Sequence, residues 1–185
     1  MKIWWRALAA LAISASVAGA DPLAGTKDIV LQTRDGQNIT IGAVVFTPRD
    51  GKIHFDIQLD RAKFTEYFLS MVEFKCVEGP ELNCHVPYPY ANPRIVSAED
   101  LSWLEHGLLF FTKSRADYGA QLAKGVIYTM KLSEGGIVGA PQSIDLNMIA
   151  TPPDDRTKAA FTSADRYDFQ PGERWVQSLT IAEHR

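Results

Sequence analysis

From Asp28 to Asp60 the chain reads DIVLQTRDGQNITIGAVVFTPRDGKIHFDIQLD, β-rich stretches parted by Asp35-Gly36 and Asp50-Gly51. Asp-Gly supplies the positive-φ residues that tight hairpin turns need, so the stretches are read as an antiparallel meander. The third stretch alternates without a break. Ile53, Phe55, Ile57 and Leu59 fall on one face, and His54, Asp56, Gln58 and Asp60 on the other. That is the pattern of a strand with one buried and one wet face.

The next segment, RAKFTEYFLSMVEFKC, carries two periods at once. Phe64, Phe68 and Met71 sit at helical spacing, while Phe68, Ser70, Val72, Phe74 and Cys76 alternate like a strand. The reading taken is a short turn or helix followed by a strand into Cys76. Gly79-Pro80 then reverses the chain, and Leu82, Cys84 and Val86 alternate outwards from it. Ser97-Ala98-Glu99-Asp100 has the spacing of a capping box, with Leu101, Leu104 and Leu108 at helical spacing behind it and Gly107 as a stop. A short helix over about 98–106 is predicted.

Beyond it, LLFFTKS and GVIYTMKLSEGGIVGAPQSIDLNMIA read as strands, the latter pair joined at Glu134-Gly135-Gly136. Ile144, Leu146 and Met148 alternate with Asp145 and Asn147, which extends the second arm with one wet face. Thr151 to Ala164 is polar, proline-bearing and aperiodic, the signature of an exposed loop. Trp175 to Ile181 returns to a strand. The predicted fold is mainly β, an antiparallel sheet forming a barrel or sandwich with one short helix packed on it.

Within the 185 residues, the first twenty stand apart. Lys2 and Arg6 precede an apolar run from Ala7 to Val17 and then Ala18-Gly19-Ala20, the order of a secretory signal peptide with its cleavage site. The run is far shorter than the roughly twenty residues needed to span a bilayer. Residues 21–185 are therefore expected to form a single domain, periplasmic or secreted, with no membrane span after cleavage. Loss of Lys2 and Arg6 moves the formal charge from −3 to −5. A mildly acidic chain with no basic run is a poor match for a phosphate backbone, so nucleic acid is not an expected partner.

Chemistry concentrates in CVEGPELNCHVPYPY, Cys76 to Tyr90. Paired cysteines in an oxidising compartment are expected to form a disulfide. Cys84-His85 matches the end of a haem-attachment motif, but that motif spaces its cysteines as C-x-x-C-H and seven residues intervene here. No cofactor is expected. A zinc site needs convergent ligands, and His54, His85, His106 and His184 are far apart; only His54 and Asp56 share a strand face, so no metal is assigned. Nucleophile motifs such as G-x-S-x-G and S-x-x-K are missing, and so are the phosphate-cradling glycine loops. Pro87, Pro89 and Pro93 favour an extended edge or crossover. His85, Tyr88 and Tyr90, held by the staple, are the candidate ligand-contacting residues.

The run FLSMVEFKCVEGPELNCHVPYPY, Phe68 to Tyr90, resembles a signature of uncharacterised exported bacterial proteins, with F-x-C-x-E-G-P-E ahead of the second cysteine and P-Y-P-Y behind it. The resemblance implies an exported compartment and supports treating Cys76 and Cys84 as a pair. It carries no activity. The expected function is a binding or interaction module for a small ligand or an envelope protein. The alternative is a periplasmic hydrolase with a carboxylate and histidine site using His54, Asp56 or His85.

Overall fold

A computed structural model describes residues 21–183, so the leader expected at 1–20 lies outside the described residues. The strands are β1 (Gly25–Thr33), β2 (Asn38–Arg49), β3 (Lys52–Leu59), β4 (Thr65–Leu69), β5 (Val72–Val77), β6 (Leu82–Val86) and β7 (Ile95–Val96). After the helix α1 (Ser102–Gly107) come β8 (Leu109–Lys113), β9 (Gly125–Ser133), β10 (Gly136–Ile144), β11 (Tyr167–Asp168) and β12 (Val176–Glu183). The meander forms where the Asp-Gly pairs place it. Asp50 and Gly51 both hold positive φ, 52° and 71°, in the two-residue loop that sets Arg49 opposite Lys52.

All of these strands belong to one antiparallel sheet in the order β4-β5-β6-β8-β9-β10-β12-β1-β2-β3-β7, with β11 on β10. Ile29 of β1, Ile41 of β2, Phe55 of β3, Phe110 of β8, Tyr128 of β9 and Leu179 of β12 join a single buried cluster. One face of so long a sheet can meet in one cluster only if the sheet curls around it. The curl stops short of a closed barrel, leaving β4 and β7 as free edges. Neighbouring positions point the other way. Phe111 of β8 and Ile127 of β9 enter a second cluster on the outer face with Phe74, Leu82 and Phe161. Both faces of β8 are buried in consequence, and its run LFFTK reads as continuous rather than alternating.

Cys76 of β5 and Cys84 of β6 are directly opposed and bonded as a disulfide, both fully buried in the outer cluster. Converting both to alanine is expected to lower unfolding stability by about 2.5 kcal/mol, the chain-entropy value for so short a loop. Urea unfolding of the double variant measures this. An unchanged midpoint would show that hairpin pairing alone sets the geometry.

Three sequence expectations are corrected. The helix is shorter and later than 98–106. The Ser97 hydroxyl does accept from the N–H groups of Glu99 and Asp100, but this closes a turn, and the Asp100 carboxylate then takes the Ser102 N–H where α1 begins. Phe68 to Cys76 is not one strand. Ser70 and Met71, at φ 50° and 66°, turn the chain between β4 and β5 and pair Leu69 with Val72. The second arm of the later hairpin ends at Ile144, because the Asp145 carboxylate caps the Asn147 N–H and starts a 3-10 helix over Leu146–Ala150. Met148 is thereby left exposed, while Leu146 and Ile149 are buried.

Candidate functional site

The unclosed part of the sheet holds a cavity of about 580 Å³. Phe55, Ile57 and Leu59 of β3 line it, and so do Glu73 and Lys75 of β5 and His85 of β6. Along the hydrogen-bonded path seven strands lie between β3 and β5, so the cavity is the seam at which the two ends of the curled sheet approach each other. The proline-rich segment bridges it, since it leaves β6 and ends in β7, which pairs with β3. Pro87, Tyr88, Tyr90, Asn92 and Arg94 from that segment complete the wall. Prolines lacking N–H donors keep the bridge out of the sheet.

The neutral polar groups of the wall are already tied to backbone. The Tyr90 hydroxyl donates to the Ile149 carbonyl at 2.7 Å, and the Tyr88 hydroxyl is hydrogen-bonded to the Ala160 backbone. Asn92 donates to the Trp103 carbonyl at 2.8 Å and accepts the Arg94 N–H at 2.8 Å. That last bond helps to hold Arg94 at φ 55°, a left-handed conformation that costs a side-chain-bearing residue about 1 kcal/mol. His85 Nε2 lies 3.2 Å from the Gly107 carbonyl. A carbonyl only accepts, so Nε2 carries the proton, and burial pushes the imidazole pKa down.

The charged groups differ in how far they are engaged. Lys75 pairs with Glu66 at 2.9 Å and Glu73 at 3.8 Å, and Arg94 pairs with Asp56 at 2.7 Å. The hydrogen bond from Lys75, and then its charge, holds the Glu66 carboxyl below the usual range. Arg61 adds to this through its field alone and has no direct ion pair among the described residues.

Behind the Tyr88 wall, consecutive residues of α1 lock the helix to the sheet and to the long loop. Glu105 pairs with Arg166 at 2.8 Å with both side chains buried, and its other oxygen accepts the Met130 N–H of β9 at 2.7 Å. Arg166 also donates to the Phe161 carbonyl at 3.0 Å. His106 donates from Nδ1 to the Ser102 carbonyl at 2.8 Å and accepts the Phe161 N–H at Nε2 at 2.9 Å. Burial first, and the nearby Arg166 charge to a lesser degree, push its pKa down to about 4 against the opposing Ser102 bond. The Tyr88 ring meets the His106 edge at 5.4 Å, and Phe161 stacks on it at 5.6 Å.

The structure therefore brings the predicted His85, Tyr88 and Tyr90 to one cavity. His54 and Asp56 lie on the other face of β3 from the lining residues; Asp56 reaches the rim only through Arg94. Among the described residues no group of three His, Cys, Asp or Glu side chains is placed to hold a metal ion. No helix among them is long and apolar enough to cross a membrane. Sequence reasoning missed Arg61 and Arg94. Arg61 had a signal: it continues the odd-numbered stripe of Phe55, Ile57 and Leu59, one step past the strand. No family model, curated protein or solved structure matches the chain, and function is accordingly read from the cavity.

Proposed function

We propose that this chain is an exported binding module, periplasmic or secreted, that holds one small, largely apolar ligand in the seam cavity. The observation that carries this is the apolar stripe of the wall, Phe55, Ile57 and Leu59 with the Tyr88 and Tyr90 rings, which faces one cavity rimmed by charged side chains. Its volume of about 580 Å³ falls among ligand pockets, which run from about 300 to 1,000 Å³. An apolar stripe costs little to dry, so the apolar part of a ligand gains by displacing water from it.

Filling the cavity tests the reading. Ile57 is half-buried in the wall, and Ile57→Trp is expected to weaken binding of the neutral dye Nile red by about tenfold or more, equivalent to about 1.4 kcal/mol. Fluorescence titration reads this, with circular dichroism checking that the fold is kept. Dye binding that ignores the tryptophan would overturn the proposal. The free β4 edge, with Phe68 and Met71 exposed at its turn, favours a second reading, the strand-wise docking of an envelope protein. Under that reading a periplasmic extract loaded on immobilised Ile57→Trp retains the same partner as the native chain.

A further inference from the structure

We infer that the ligand of the seam cavity is an amphiphile with an anionic head, and that Arg61 is the residue that binds the head. The inference rests on the cavity reading above and concerns the chemistry of its occupant. The charged side chains of the wall are three cations, Arg61, Lys75 and Arg94, and one anion, Glu73, which favours an anionic group on the occupant. Lys75 is shared between two carboxylates, and Arg94 already neutralises Asp56. Arg61 lines the same cavity without a direct ion pair among the described residues. A guanidinium offers a planar fork of donors that matches a carboxylate with two parallel bonds. Its position suits the role. Arg61 begins the 3-10 turn Arg61–Lys63, which is pinned by the Asp60 carboxylate on the Ala62 N–H. Its backbone is thus fixed one step beyond Leu59, at the end of the apolar stripe. The chain of the amphiphile lies along Phe55, Ile57 and Leu59, and the head emerges at Arg61.

Isothermal titration calorimetry of residues 21–185 with decanoate and with decanol separates the head from the chain. The expected result is that decanoate binds about tenfold tighter or better. Arg61→Gln should bring decanoate to the level of decanol and leave decanol unchanged, with an unaltered thermal midpoint because Arg61 is exposed. Arg94→Gln should cost decanoate less than Arg61→Gln. Equal affinity for the two compounds, or a larger loss at Arg94, would overturn the assignment of the head group while leaving the cavity reading in place. Failure of both compounds to bind removes the cavity reading as well. Sedimentation with phosphatidylglycerol vesicles in place of decanoate binding would point to a bilayer surface and would also overturn it.

Discussion

Replacing Arg166 by methionine is expected to destabilise the chain by about 3 to 5 kcal/mol, since it strands the Glu105 carboxylate away from water. This is a large part of the roughly 5 to 15 kcal/mol that holds a typical domain together. The Glu105 and Arg166 side chains are 7% and 9% exposed, so solvent cannot take over the lost pairing. Arg166 also holds Phe161, whose ring packs in the outer cluster and whose N–H is bound by His106. The loss should therefore loosen the loop from 151 to 165 before the sheet opens. Chemical denaturation measures the total, and hydrogen exchange the order of events. The double variant Glu105→Gln with Arg166→Met is expected to recover most of the stability, because the amide oxygen still accepts the Met130 N–H and no charge is left buried. If the double variant is as unstable as the single, burial of an unpaired charge is not the cause.

Acid should act on the same lock through His106. Its folded pKa of about 4 lies below the ordinary 6.5, so between those values the unfolded chain binds more protons than the folded one. Stability is then complete above about pH 6.5 and falls as the pH drops towards 4, by about 3 kcal/mol for this residue. His85, lowered in the same direction by burial, adds to the fall. Physically, a proton on His106 Nε2 removes the acceptor that the Phe161 N–H requires. Carboxylates such as Asp35, held at about 2 by the Thr33 hydroxyl and then the Trp175 indole, lose their contribution mainly at lower pH. Urea midpoints from pH 7.5 to 4 trace the effect. His106→Gln, whose carbonyl can take the Phe161 N–H, should flatten the slope in that window, and an unaltered slope would assign it elsewhere.

The parts of the fold that were legible in the sequence are those fixed by neighbours along the chain. The Asp50-Gly51 turn, the alternation of β3 and the pairing of Cys76 with Cys84 each need only a few residues, and each is found. The hidden features arise where a short-range rule is overridden from outside it. Ser70 and Met71 carry no glycine to announce left-handed backbone, and the alternation from Phe68 to Cys76 runs straight through their turn. At 97–102 and again at 145–147, an aspartate carboxylate captured a nearby N–H and moved an element boundary. Of the site, His85, Tyr88 and Tyr90 were visible because the staple and prolines mark them locally. The lock behind the wall, Glu105, His106 and Arg166, was hidden, because its residues meet only when a loop folds back across about sixty residues.

The place of β12 has a consequence for the order in which this protein can be made. Residues 176–183 sit between β10 and β1, with Thr180 opposite both Val138 and Val30. Until they emerge, the nascent chain consists of two separate ribbons, each with a bare inner border, and the seam cavity between β3 and β5 has no frame. Joining β1 to β12 closes a loop of about 150 residues, from Ile29 to its partner Ile181, which makes that step slow. Made from its amino end, the chain cannot complete the sheet around the seam cavity until β12 has arrived.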